Sequence, residues 1–160
     1  MTKKTFNLYI FVILFFINGC GYKPILIGSD YDFSIKVENS SGNNEINSKI
    51  ENKLKVLNGT KKTFKVNFAS EETINILSKD SKGDPTILEI EINLKYKLIE
   101  NSKVLVNRSL TERSSYNNIS DKFELSKSEE TLRDDLIENL VSDIINSASN
   151  LILNPMINDN

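Results

Sequence analysis

The sequence predicts an α+β fold with two layers, in which a four-stranded, mixed or antiparallel sheet carries two helices on one face. One stretch of strict apolar–polar alternation, Leu88 to Leu98, is typical of a half-buried strand. A long apolar stripe with helical spacing runs from Leu132 to Leu151. Because a sheet and helices with one apolar face each must share a core, the predicted order of elements is β-α-β-β-β-α.

The first predicted strand and helix occupy residues 31 to 57. Apolar residues alternate with polar ones from Tyr31 to Glu38, which predicts a strand with one wet face. Asn39 to Asn44 (NSSGNN) predicts a loop rich in helix-capping residues. An amphipathic helix follows, because apolar residues recur at helical spacing at Ile46, Ile50, Leu54 and Leu57. Asn58-Gly59 is its predicted end, since glycine favours the left-handed conformation that terminates helices.

The second predicted strand runs from Thr63 to Ala69, with three apolar residues on one face. Glu71 and Glu72 interrupt the alternation. Apolar residues resume from Thr73 to Leu77, which form either a bent continuation of the same strand or a separate segment. The sequence Ser81 to Pro85 (SKGDP) then predicts a turn.

The third and fourth strands are most simply a hairpin. The long alternating strand, Leu88 to Leu98, has an opposite face so polar that it must meet water or a polar wall. A turn at Glu100 to Lys103 leads into the fourth strand, Val104 to Tyr116. The alternation of this fourth strand is weaker, which indicates an edge strand or a bulge.

The last predicted helix starts between Lys122 and Ser126 and continues to about Leu153, before Pro155. At roughly 1.5 Å per residue it is 40 Å or more in length, enough to lie across the whole sheet. Ser126 and Glu129 have the spacing of a capping box. The predicted domain therefore covers residues 31–154, and residues 155–160 form a polar tail.

Residues 1–19 have the pattern of a bacterial lipoprotein signal peptide. Lys3 and Lys4 form a basic start, and Leu8 to Ile17 follow without a charge. This apolar run of about 10 residues has the length of a signal-peptide core and half the length of a membrane span. Gly19 then precedes the only cysteine of the chain, as in a lipobox, where the peptidase cleaves before an acylated cysteine.

We therefore predict lipidation at Cys20. The alternatives are an ordinary signal peptide with an incidental cysteine, or an uncleaved anchor. A single cysteine cannot form an intramolecular disulfide, and acylation removes its free thiol. Several acyl chains at about 0.8 kcal/mol per buried methylene hold a protein on a membrane permanently. Residues 20–30 are then a lipidated tether.

Composition argues against several classes of function. Removing residues 1–19 removes Lys3 and Lys4, which leaves 18 basic residues against 22 acidic ones and a net charge of −4. This balance argues against nucleic acid as a partner. The chain has no histidine, so His-ligated zinc sites and His-dependent triads or dyads are excluded.

Carboxylate chemistry is not favoured either. Adjacent residues on a helix, such as Asp134 and Asp135, point about 100° apart and do not converge on one substrate atom. We predict that the protein is not an enzyme. We expect no catalytic residue, no metal, and no cofactor beyond the covalent lipid at Cys20.

The order of elements resembles that of the LptE family of lipopolysaccharide (LPS) assembly lipoproteins over nearly the whole chain. The shared features include the lipobox followed by Gly and an aromatic residue, Cys20 to Pro24 (CGYKP), and the long alternating strand after a Gly-containing turn. Arg113 to Asn117 (RSSYN) resembles the family's Arg-x-Tyr segment before its last helix. Ser126 to Glu130 (SKSEE) resembles the acidic start of that helix.

The resemblance implies a lipoprotein on the periplasmic side of the outer membrane, anchored by its lipid. It implies a plug in the lumen of the LptD β-barrel, which also binds LPS for insertion in the outer leaflet. Gly21 after the cysteine, rather than Asp, favours the outer membrane by resemblance to the sorting rule of enteric bacteria.

The family's LPS-binding basic residues correspond most closely to Lys82 and Lys127, whose ammonium groups could meet a phosphate or carboxylate. Each is alternatively an ordinary solvated lysine. Arg108 and Arg113 could serve similarly, or pair with a neighbouring Glu across the sheet. The alternative function is a generic periplasmic-facing lipoprotein that scaffolds another envelope complex.

Overall fold

A computed structural model describes residues 31–153. The predicted signal peptide, Cys20, the tether and the C-terminal tail lie outside the described residues. The elements follow in the order β1 (Phe33–Gly42), α1 (Asn44–Leu54), β2 (Lys62–Lys79), β3 (Pro85–Glu100), β4 (Lys103–Asn117) and α2 (Lys122–Leu153). The predicted α+β class and the predicted order of elements are confirmed.

The four strands form one mixed sheet in the spatial order β1-β2-β3-β4. β1 and β2 are parallel, whereas β2–β3 and β3–β4 are antiparallel. Parallel neighbours require a crossover connection, and α1 supplies it. The other three strands form a meander, which includes the predicted hairpin of β3 and β4.

The strands differ in length, and this difference gives the molecule two distinct ends. β1 starts with Phe33 opposite Lys62 and stops with Gly42 opposite Ser70. β2 continues alone with β3 as far as Lys79. We call the end at Phe33 and Lys62 the base, and the end at the β2–β3 turn the tip. At about 3.3 Å per residue, the 18 residues of β2 make the sheet about 60 Å long.

Both helices pack on one face of the sheet and enclose a single core. α1 buries its predicted stripe completely, and α2 buries a broad face between Leu136 and Ala148. The alternating residues of β3 supply the floor of this core, and these fully buried side chains are Ile90, Ile92, Leu94, Tyr96 and Leu98. The other face of the sheet, which we call the outer face, is polar over most of its area, as predicted.

The boundary between β1 and α1 differs from the expectation. Residues 39–42 continue the strand instead of forming a loop, and only Asn43 separates strand from helix. The Asn43 Oδ1 accepts hydrogen bonds from the backbone N–H of Glu45 and Ile46 at 3.0 and 3.2 Å, so it is the N-cap. The helix ends at Leu54, and Leu57 is buried beyond it rather than within it.

The structure also decides two smaller points of the sequence analysis, which are the continuity of β2 and the capping box at Ser126. β2 is one continuous strand, so the bent-continuation alternative is the correct one. The capping box at Ser126 is wrong, because α2 starts earlier and Asp121 Oδ1 accepts from the N–H of Phe123 and Glu124 at 3.0 and 3.2 Å. β4 is an edge strand with a register shift opposite Leu98 and Ile99, as its weak alternation indicated.

Candidate functional site

Lys82 lies in the turn at the tip of the molecule. Asp80 holds this turn, because its Oδ1 accepts from the N–H of Lys82 at 2.8 Å and of Asp84 at 2.9 Å. Gly83 has a φ of +90°, a conformation that side-chain-bearing residues rarely adopt. The backbone of the turn is therefore fixed, while the Lys82 side chain is exposed.

Lys127 lies in the second turn of α2, at the same end of the molecule. The connection from β4 to α2 stays close to the tip, because Asn118 donates through its Nδ2 to the Pro85 carbonyl at 2.8 Å. The Lys127 side chain is exposed. The structure thus brings Lys82 and Lys127 to one end of the molecule, and within residues 31–153 no carboxylate pairs with either ammonium.

The tip also exposes a concentration of apolar side chains. Phe123, at the start of α2, is 74% exposed. The others are about one-third to one-half exposed, and they are Ile74, Ile76, Leu77, Ile87 and Ile119. Ile74 and Ile76 are uncovered because β1 and α1 stop short of this part of β2. We call these six side chains the apolar tip; they lie on both faces of the sheet and, with the two lysines, give this end of the molecule an amphiphilic character. Exposed apolar patches often mark interaction sites.

A charged layer separates the apolar tip from the main core. Glu72 on β2 faces the helices, and Arg133 on α2 binds it through Nε at 3.1 Å and Nη2 at 2.8 Å. Both side chains are largely buried. The hydrogen bond to Glu72 is the main reason that the pKa of Arg133 is raised above its already high ordinary value. This arginine therefore stays charged at all relevant pH values, and it fixes α2 over the sheet.

Two further polar contacts complete this layer. The Tyr116 hydroxyl donates to Glu129 Oε1 at 2.8 Å, which ties the end of β4 to α2. Lys49 on α1 reaches Asp134 Oδ1 at 2.8 Å. Partial burial lowers the pKa of Lys49, but the hydrogen bond to Asp134 and the charges of Asp134, Glu45 and Glu130 together outweigh it, so the pKa is raised.

The two arginines considered from the sequence lie away from this surface or have a structural partner. The Arg113 Nε contacts Glu91 Oε2 at 2.6 Å across strands β3 and β4 on the outer face. The cross-strand pairing alternative is therefore correct for Arg113. Arg108 is exposed on the helix side of β4, opposite Tyr96 and closer to the base.

The carboxylates that could have formed a catalytic pair have separate partners. Glu72 binds Arg133, Glu129 accepts from Tyr116, and Asp134 binds Lys49. Within residues 31–153, no three His, Cys, Asp or Glu side chains form a group that could hold a metal ion. Neither helix in this part of the chain combines the length and apolar character that crossing a membrane requires.

Sequence reasoning missed the apolar tip and Arg133. A signal for the second was present, because an arginine follows Leu132 on the apolar face of α2 while Glu71 and Glu72 interrupt an apolar strand face. When one apolar surface contains a positive charge and the apolar surface that faces it contains a negative charge, a buried ion pair is indicated. No comparable signal identified Ile74 and Ile76 as exposed, because their spacing is that of core residues.

Comparison with solved structures finds this fold in bacterial lipoproteins. The rare lipoprotein B from Shewanella oneidensis superposes with a TM-score of 0.56 at 12% identity, covering 76% of this chain and 96% of that chain. The uncharacterized lipoprotein B from Nitrosomonas europaea gives a TM-score of 0.55 at 16% identity, covering 76% of this chain and 87% of that chain. The LptE-like fold implied by the sequence is therefore confirmed, at the level of the fold. No family model and no curated protein sequence matches this chain.

Proposed function

We propose that the protein is a lipid-anchored component of an outer-membrane LPS assembly complex. In this proposal it sits in the lumen of an LptD-like β-barrel and binds LPS at its tip for insertion in the outer leaflet. The shared fold supports this proposal, and so does the resemblance of the sequence from Cys20 to the last helix.

The observation that carries the proposal is the composition of the tip. LPS has phosphate groups next to acyl chains, and the same end of the molecule has two exposed ammonium groups and six exposed apolar side chains. Asp80, Asp84 and Asp121 lie nearby, but Asp80 and Asp121 are engaged with backbone N–H groups. A charge-assisted contact from Lys82 or Lys127 to a phosphate is therefore reasonable chemistry for this surface.

The length of the domain is compatible with a position inside a barrel. At about 3.3 Å per residue, the 18 residues of β2 extend about 60 Å from base to tip, whereas a bilayer with its headgroups is about 45 Å thick. A domain of this length, held by a lipid near its base, could reach from one membrane surface to the other. The polar outer face of the sheet is suited to the polar interior of a barrel.

Partnership is tested by purifying the tagged, full-length lipoprotein from detergent-solubilised envelopes. We expect one large β-barrel protein to copurify in equal amount and to resist dissociation in harsh detergent. A different periplasmic complex, or no barrel, would contradict the plug role. It would favour the alternative of a generic lipoprotein scaffold.

The role of the tip is tested by measuring LPS binding to the purified lipoprotein in neutral detergent. Lys82→Gln with Lys127→Gln should weaken binding roughly 5- to 30-fold, since each exposed charge-assisted contact contributes about 1 kcal/mol or less. The matched control replaces Lys36 and Lys55, two exposed lysines remote from the tip. Equal losses in the two double variants would contradict a specific role for the tip.

A further inference from the structure

Among the described residues, charged side chains are distributed unevenly along the outer face of the sheet, with unpaired lysines nearer the base. Towards the tip, opposite charges are neutralised within the face, as in the pair of Arg113 and Glu91. Nearer the base, Lys95 and Lys97 alternate on β3, and within residues 31–153 no carboxylate lies within ion-pair distance of either ammonium. Lys65, on the neighbouring strand β2, is bound to Glu38 at 2.6 Å, and Lys36 lies beside Lys65 on β1.

A shallow concavity of about 320 Å³ lies over these two lysines. The strand register places two polar rows side by side on this face. Each row crosses the four strands from β1 to β4: one consists of Asn39, Asn67, Lys97 and Asn107, and the other of Ser41, Ala69, Lys95 and Ser109. The small side chain of Ala69 leaves the floor open. The register shift of β1 between Val37 and Asn39 forms the adjacent wall.

The concavity presents polar groups and no aromatic ring. Phe68 and Tyr96 contribute to its lining, but they are only 5% and 1% exposed, because their side chains lie in the core on the other face. A ligand here would be held by charge and hydrogen bonds rather than by stacking. Amide, hydroxyl and ammonium groups together are typical of sites for oxyanions with neighbouring hydroxyl groups.

Asn67 adds an unsatisfied acceptor to the lining. Its Oδ1 is buried and has no donor among the described residues. The neighbouring Glu38 has a lowered pKa, mainly through the hydrogen bond and charge of Lys65, with a smaller contribution from the Asn67 side chain. A buried acceptor without a donor costs free energy, so a turn of the Asn67 side chain towards the concavity, where a ligand hydroxyl can donate to Oδ1, is favourable once a ligand is bound.

We propose that this concavity binds a hydroxyl-bearing phosphate ester, with Lys95 and Lys97 on the phosphate and the amide oxygen of Asn67 on a hydroxyl group. The site lies on the outer face near the base and is separate from the tip. The proposal therefore does not depend on the LPS assembly role. The ester can be a free metabolite or the headgroup of a lipid such as phosphatidylglycerol.

The test uses the purified, full-length lipoprotein in neutral detergent, with glycerol 3-phosphate as the free probe. We expect saturable binding by calorimetry and a shift of the Asn67 side-chain amide signal in ¹H–¹⁵N spectra. Lys95→Gln with Lys97→Gln should weaken binding at least tenfold, and Asn67→Leu should weaken it several-fold. The matched control, Lys55→Gln with Lys79→Gln, removes two exposed lysines that do not line the concavity and should leave binding unchanged.

Dihexanoyl phosphatidylglycerol, a soluble short-chain lipid, distinguishes the source of the ligand. Tighter binding of this lipid than of glycerol 3-phosphate assigns the site to a headgroup, and the reverse assigns it to a free ester. Absence of saturable binding for both probes at 10 mM would overturn the proposal. So would equal losses in the two lysine double variants, or equal affinity for glycerol 3-phosphate and glycerol.

Discussion

At the scale of single residues, Arg133 is expected to have a large effect on stability. It brings a charge between two layers that otherwise meet through apolar side chains. Its partner, Glu72, is also largely buried and is bound by two guanidinium nitrogens. Taking both charges out of water costs free energy that their attraction roughly offsets, but an unpaired Glu72 would have no such compensation.

We therefore expect Arg133→Met to lower the free energy of unfolding by about 3 kcal/mol, measured by urea denaturation. The double variant Glu72→Met with Arg133→Met should recover most of this loss, because it removes both buried charges. If Arg133→Met alone unfolded with the stability of the original protein, the ion pair would not be a buried one.

Tyr116 gives the stability a dependence on alkaline pH. Burial, followed by the hydrogen bond and charge of Glu129, raises the pKa of Tyr116 to about 12. In the unfolded chain a tyrosine ionises near pH 10. Between these values the unfolded chain releases the proton first, so rising pH favours unfolding; below about pH 10 the contribution is fully present.

The expected result is that the stability difference between the original protein and Tyr116→Phe shrinks as the pH rises from about 10 to 12. Chemical denaturation at each pH measures this difference, and other titrating groups cancel in it. Tyr31→Phe, at the opposite end of the sheet, is the matched control. A difference that stays constant over this range would contradict the coupling of Tyr116 to Glu129.

At the scale of elements, the loop between α1 and β2 fixes the start of β1. The Gly59 N–H donates to the Phe33 carbonyl at 3.1 Å, and the Lys61 N–H donates to the Asp32 carbonyl at 3.0 Å. Asn58 also forms an antiparallel β-bridge with Ser34, on the edge of β1 that faces away from β2. The loop thus passes around the first residues of the strand.

Gly59→Ala should weaken this arrangement strongly. An added Cβ would lie 2.1 Å from the Phe33 nitrogen and 2.3 Å from the Tyr31 oxygen, both of them backbone atoms. We expect a loss of about 2–3 kcal/mol in unfolding free energy, because the loop must move away from β1. The control, Gly83→Ala, meets nothing within 4 Å and should cost only about 1 kcal/mol for its positive φ. Equal losses would show that the close approach at Gly59 has no special importance.

An element could be predicted from the sequence where its burial pattern depends only on its own residues, as in β3. β3 buries one face along its whole length, so its alternation identified both the strand and its polar outer face. β2 has Glu72 on its buried face, and the partner that makes this possible is 61 residues away. No local pattern can show such a pairing, and the strand therefore looked interrupted.

The same limit applies to the candidate site. Lys82 and Lys127 were selected through a resemblance, and the turn and the start of α2 do lie at the same end of the structure. The sequence placed Ile74 and Ile76 only within a strand segment, and it did not show that β1 stops at Gly42 and leaves them without a cover. Where a neighbouring strand ends is a property of the topology, which the spacing of residues in β2 does not encode.

At the scale of the whole molecule, the chain enters the sheet at one end, and the candidate site lies at the other. The predicted acylation site, Cys20, precedes the base by the length of the tether. This arrangement would let a membrane-held protein present its tip about 60 Å from its point of attachment, plus the reach of the tether.

Cys20→Ser tests the anchor. We expect loss of acyl labelling and accumulation of a longer precursor, because the peptidase of this pathway acts before an acylated cysteine. Membrane fractionation and labelling with a radioactive fatty acid measure both effects, with the original protein as the reference. Normal labelling of the variant would contradict the predicted lipoprotein.

The parallel pairing of β1 and β2 also determines how the molecule withstands mechanical force. A pull on the residues before Tyr31, against a load held at the tip, acts along the axis of β1. Because β1 starts at the base, this pull slides the strand along β2 and loads the hydrogen bonds of their ladder together, whereas a perpendicular pull would open them one by one. The loop at Gly59 adds two backbone hydrogen bonds to the start of β1, where the force is applied. The first strand of the domain is thereby placed in shear, the geometry in which a sheet resists tension best.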